Sequence, residues 1–165
     1  MPARRHIYPL KSDMVPDAEI RAHEMPQVLS LRTQLLSAGH SKTLLAKTDL
    51  VTLHVHCYGP KGGENGLHAH MEEDHIFVVL QGELQFRGLD GALPPVGKHR
   101  ALFLPKGCYY SFANETQDPA IVIRFGASDK AGEGRRLDPD LRPLEGRSHL
   151  KQAPRPVPIE GNFFE

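Results

Sequence analysis

The stretch that decides the fold runs from Gly62 to Gly82 and reads GGENGLHAHMEEDHIFVVLQG. His68 and His70 stand two apart, so on a strand both imidazoles project from the same face. Two rings so placed can share one metal ion, because imidazole suits zinc, copper, iron and nickel. His75 follows a short acidic segment and offers a third nitrogen donor. Glu72 and Glu73 in that segment read as a solvated turn. Asp74 opens an alternative, since with His68 and His70 it makes a two-histidine, one-carboxylate triad suited to non-haem iron.

Outward from this stretch, short apolar runs alternate with turn residues. Thr43 to Ala46, Val51 to Tyr58, Ile76 to Leu80, Glu83 to Phe86, Ala101 to Leu104 and Ala120 to Phe125 all suit strands. Gly59-Pro60-Lys61-Gly62-Gly63, Gln81-Gly82, Gly88 to Gly97 and Lys106-Gly107 separate them. Short strands with this punctuation predict an all-β sandwich or barrel, and without an internal repeat one barrel is preferred to two. The organisation predicted is an N-terminal arm with the first strands over 1–40, a barrel over 41–127 and a Pro/Gly-rich arm over 128–165. Met1 to Arg21 reads as irregular, and Val28 to Ser37 as extended rather than helical. Pro154, Pro156 and Pro158 alternate in a polyproline-like segment, beyond which Ile159 to Phe164 is apolar enough to dock on something.

Composition removes several function classes. Lys plus Arg equals Asp plus Glu at 20 each in 165 residues, so the chain lacks the positive footprint of a nucleic-acid binder. Arg135-Arg136 reads as solvated loop charge. No apolar run reaches the roughly 20 residues needed to span a bilayer, and Met1 to Lys11 lacks the apolar stretch of a secretory signal. A cytoplasmic protein with two reduced thiols, Cys57 and Cys108, is the expectation. The chain shows no G-x-S-x-G elbow, no phosphate-binding loop and no CxxC pair.

The frame around the histidines resembles the cupin family. Its first motif, G(X)5HXH(X)3-4E(X)6G, matches Gly62 to Gly82 with His75 in place of the usual Glu. Its second, G(X)5PXG(X)2H(X)3N, matches Pro105 to Asn114 with Tyr110 in place of the usual His, and Gly97 lies two residues too far from Pro105 to be its leading glycine. The resemblance covers about Leu44 to Phe125. It implies a double-stranded β-helix (jelly-roll) barrel holding one divalent metal ion, and commonly a homodimer. Here the implied ligands are His68, His70 and His75, three neutral imidazoles that leave the ion's charge uncompensated and favour an anionic or chelating substrate. Tyr110 is then a fourth ligand, an acid/base or second-layer group, or a barrel-lining phenol. Asn114 shapes the turn.

Other residues bear on the cavity. Arg124 sits in the run Ile121 to Phe125; inward it pairs with a substrate carboxylate, outward it is a surface arginine. Gln85 is a weaker candidate for hydrogen bonding there. His54 and His56 form a second His-x-His pair, read as lining the barrel or exposed, with His56 able to approach the site. The function expected is a small metalloenzyme, of dioxygenase type, acting on a small organic acid or carbonyl compound, with iron, zinc, manganese or nickel. In that scheme Tyr110 and Arg124 are the catalytic residues. The alternatives are a non-catalytic binding or sensing module, and a metal-free pocket lined by hydrogen-bonded histidines.

Overall fold

The computed structural model describes residues 26–128, 135–145 and 154–165. The expected arm Met1 to Arg21 lies outside them. Every regular element among the described residues is a strand: β1 Thr33–Ala38, β2 His40–Lys47, β3 Val51–Tyr58, β4 Gly63–His70, β5 Glu73–Gln81, β6 Glu83–Gly88, β7 Gly91–Ala92, β8 Val96–Gly97, β9 Ala101–Leu104, β10 Tyr109–Ala113, β11 Ala120–Ser128, β12 Arg136–Leu137 and β13 Val157–Phe164. Among the described residues no helix is long and apolar enough to cross a membrane.

Two sheets face each other as a double-stranded β-helix. One has the order β2-β3-β11-β5-β9, and the other β12-β4-β10-β6-β7 with β8 also paired to β6. All pairings are antiparallel. Period-two alternation then sends every second residue of each strand into the space between the sheets. Tyr58, Phe77, Val79 and Val122 enter from the first sheet, and Leu84, Phe86, Tyr110 and Phe112 from the second. Tyr58 meets Phe112 edge to face at 5.1 Å, and Phe86 stacks on Phe112 at 4.8 Å. This aromatic plug fills one end of the barrel. The same inward faces carry polar side chains toward the other end.

Between β5 and β6 the chain reverses at Gly82, whose φ is +72°. A Cβ there would lie 2.8 Å from the Cα of Ala120, so only glycine fits both the turn and the close approach. That is the physical reason for the glycine closing the first motif.

Outside the barrel, β1 and β13 form a two-stranded sheet of their own. Leu36 and Phe164 from this pair cover Val55, Cys57 and Ile121, which project from the outer face of the first sheet. The tail's apolar end docks as expected, but as a strand: Pro158 lies opposite Leu36, not in a free polyproline arm. The extended reading of Val28 to Ser37 becomes a strand from Thr33. Arg135 is the solvated loop charge expected, facing Glu72 at 3.5 Å, whereas Arg136 is corrected: it enters β12 opposite His70, because this part of the chain folds back onto the β4 edge. Both cysteines are free thiols, and burial pushes that of Cys57 up to about 11.

Candidate metal centre

Three strands, two from one sheet and one from the other, converge at the polar end of the barrel. β4 presents Glu64, His68 and His70, β5 presents Glu73 and His75, and β10 presents Tyr110 opposite His68. Each of these sets is even-spaced, so the strand pleat alone puts its members on one face. His68 and His75 are 0% and 1% exposed. The ring centroids of His68 and His70 lie 5.3 Å apart, and those of His70 and His75 4.3 Å apart.

Ligand atoms within 4.8 Å of one another fall into two sets, Glu64-His68-His70 and His70-Glu73-His75. All three predicted histidines therefore belong to the cluster, with His70 in both sets, and each set is completed by a carboxylate. The expectation of an all-neutral donor set is corrected. Glu73 is not part of a solvated turn, because β5 already begins there and turns it inward beside His75. Glu64, which the sequence reading missed, extends the alternation of His70 and His68 two further inward positions up β4. Together they supply the negative charge lost where His75 replaces the motif's acid. Asp74 is also corrected: its neighbours in the strand point inward and it points out, accepting a hydrogen bond from the Lys106 backbone N–H at 2.7 Å.

Tautomers tell what the cluster is arranged to hold. His68 Nδ1 lies 2.7 Å from the Gly66 carbonyl, which only accepts, so Nδ1 carries a proton and Nε2 is left to face the cluster. Nε2 stands 3.2 Å from Glu64 Oε2. A proton or a metal ion between these two atoms satisfies both. Donation of the distal N–H to a backbone carbonyl is also how metal-binding histidines are usually oriented. His75 Nε2 lies 3.1 Å from Glu73 Oε2, off the line a hydrogen bond requires. Burial, helped by the neighbouring His75 and His68, lowers His70 to about 2, so its ring is neutral with a lone pair to give. Burial works to raise Glu73, but His75, Arg124 and Thr52 outweigh it and hold the carboxyl below its ordinary range. The imidazole and carboxylate donors are clustered within reach of one another, and they fit a divalent ion.

Tyr110 is 2% exposed, its hydroxyl 3.3 Å from His75 Nδ1 and 3.4 Å from Glu64 Oε2. Burial and the Glu64 charge push its pKa well up, so it stays a neutral phenol bridging the two sets. Arg124 points inward, on the same face of β11 as Val122, with its Nε buried and unpartnered. Burial opposes its charge, while Glu64, the phenols and Glu73 uphold it. Gln85 faces away from the site, donating to the Phe86 and Leu93 carbonyls at 2.9 and 2.6 Å. Asn114 shapes its turn as read, donating to the Tyr58 and Asp118 carbonyls and accepting from Thr116. His54 and His56 line the barrel interior from β3, outside both ligand sets.

A cavity of about 250 Å³ opens beside the cluster, lined among others by Thr52, His54, Glu73, Arg124 and Gly126. Gly126 is there for space. A Cβ on it would collide with Glu73 Oε1 and lie 2.7 Å from Thr52 Oγ1, which itself stands 3.4 Å from that carboxylate.

Comparison with known proteins agrees with this geometry. The family model described as a cupin domain matches residues 54–125. No curated protein matches the chain by sequence. Among solved structures, the chain is similar to a conserved protein with a double-stranded β-helix domain from Klebsiella pneumoniae, at 16% identity and TM-score 0.52, over 66% of this chain and 86% of that one. It is similar also to KdgF from Halomonas sp., at 15% identity and TM-score 0.50, over 67% and 92%. A protein from Thermus thermophilus, TT1209, matches at 20% identity and TM-score 0.50, over 55% and 84%. Identities this low carry the fold and nothing finer. With the motif frame, the barrel and the family match in agreement, residues 54–125 are a cupin domain.

Proposed function

We propose that the protein is a metal-dependent cupin enzyme acting on a small organic acid or carbonyl compound. The observation that carries this reading is the pair of ligand sets sharing His70, each joining imidazole nitrogens to a carboxylate, with His68 Nε2 facing Glu64. His68, His70 and His75 with Glu64 and Glu73 would hold the ion. A divalent ion there supplies Lewis-acid polarisation of a coordinated oxygen and, if it is iron, access to dioxygen chemistry.

The chain's own residues supply the rest. Tyr110 keeps His75 oriented and holds a phenolic proton between His75 Nδ1 and Glu64. Arg124 places a positive charge on the cavity wall, where it favours anionic groups over neutral ones. The barrel walls bury both ligand sets, which strengthens every charge interaction within.

Elemental analysis of the purified protein beside His70→Ala and Asp74→Asn tests the assignment. The expected result is close to one transition metal per chain in wild type and Asp74→Asn, and loss of it in His70→Ala. Full occupancy in His70→Ala would sink the site. Bound iron directs the assay to oxygen uptake with small acids, whereas no metal after reloading favours a binding module.

A further inference from the structure

Beside β5 in the same sheet, β3 and β11 build a second polar wall that belongs to neither ligand set. His54 and Arg124 are cross-strand partners in register, projecting from the same inward face. Both line the cavity. Arg124 makes no ion pair or hydrogen bond with any described residue, and its Nε is buried without a partner. His54, 8% exposed, buries its Nδ1 equally unpartnered. One step deeper on β3, His56 is 1% exposed with Nε2 unpartnered, while its Nδ1 lies 2.9 Å from the Tyr58 hydroxyl. The Tyr58 hydroxyl has no other hydrogen-bond partner among the described residues, and when it donates to His56 Nδ1 the ring proton is on Nε2, inside the barrel.

The charge of Arg124 is upheld by Glu64 and Glu73, but it is hydrogen-bonded to neither, and buried N–H groups of this kind call for a ligand or water to complete them. The guanidinium fork matches a planar carboxylate with two parallel hydrogen bonds. The cavity has room for about eight water-sized groups at roughly 30 Å³ each, which suits an acid of a few carbons.

We propose that Arg124 and His54, backed by His56, form a carboxylate-binding wall that anchors a short 2-oxo or 2-hydroxy acid. Its carboxylate rests on this wall, and its second oxygen faces the His/Glu cluster. The second contact rests on the metal reading given above; the first does not. Arg124 and His54 are then specificity-determining residues, selecting acids over amides and esters of the same shape.

Calorimetric titration of the full chain with pyruvate, as purified and after chelation, tests both contacts. Wild type should bind pyruvate in both forms, at least tenfold more tightly with metal, and should bind pyruvamide at least tenfold more weakly. Arg124→Gln should weaken pyruvate binding tenfold or more in both forms while leaving metal content unchanged. Arg124→Lys, which keeps the charge but loses the fork, should fall between, and guards against misfolding of the first variant. Undiminished pyruvate binding by both variants, or equal binding of pyruvamide by wild type, would overturn the wall. Inorganic phosphate bound more tightly than pyruvate would overturn its assignment to carboxylates. Equal pyruvate affinity with and without metal, with the Arg124 effect intact, would remove the second contact and leave the wall standing.

Discussion

At the scale of the residue, Gly126 shows how much of the site depends on what is missing. It lies opposite His75 across the β11–β5 pairing, and its absent side chain is the space in which the Glu73 carboxylate sits. In Gly126→Ala the methyl group and Glu73 cannot share that space. Backbone cannot yield easily here, since β11 is held on both edges by β3 and β5. Glu73 must swing away, taking a negative ligand from one of the two sets. The expected outcome is a folded protein with at least tenfold weaker metal affinity, read by competition with a chromogenic chelator. Unchanged affinity would show that Glu73 is dispensable. The three histidines were legible in the sequence because a strand pleat turns His-x-His into one face without further information. The carboxylates were not: Glu73 was read with Glu72 as a turn while Asp74 was weighed as the acid, and Glu64 lies four residues from His68, outside the His-x-His pattern. Once β5 is known to start at Glu73, its spacing of two from His75 settles its direction, and the same parity expels Asp74.

At the scale of the element, the β1–β13 pair acts as a lid on the barrel's outer wall. Phe164 stands opposite Thr33, at the far end of the chain, and packs with Leu36 against Val55, Cys57 and Ile121. Arg32 adds its guanidinium over the Phe163 ring at 3.5 Å. The barrel strands were predicted from local alternation and turn residues, and Val51–Tyr58 and Ala101–Leu104 match to the residue. The pairing of β1 with β13 has no such local signal, since neither strand alone says which distant segment will satisfy its edge. Phe164→Ala removes a half-buried ring from this contact and should cost about 1–3 kcal/mol of stability, somewhat less than a fully buried Phe would. The denaturant midpoint measures it. Metal content should not change, because the contact lies on the far side of the sheet from the ligand sets. An unaltered midpoint would mean that β13 adds nothing to the barrel.

At the scale of the whole molecule, a barrel that buries this many imidazoles ties its stability to pH. Burial, reinforced by the positive charges of Arg124 and Lys42 and opposed by Glu73, lowers His54 from its ordinary value of 6.5 to about 4. The unfolded chain takes up a proton at this ring as pH falls through 6.5, whereas the folded chain does not until about 4. Between these values the unfolded state holds more protons, so stability is lost as the solution is acidified and the loss levels off below the lower value. At pH 5 the His54 share is about 2 kcal/mol, at roughly 1.4 kcal/mol per pH unit below 6.5. His70, lowered to about 2, adds a loss of the same sign that continues further into acid. Glu73, held below its ordinary range, acts in the same direction once it protonates. Chelator-treated protein should therefore unfold at markedly lower denaturant at pH 5 than at pH 7.5. His54→Gln keeps a similar volume and a hydrogen-bonding group but cannot titrate, so it should recover about 2 kcal/mol of that difference while His70 retains its part. Equal pH slopes in the two proteins would mean that His54 reaches solvent in the native state, and would count against a closed wall around Arg124.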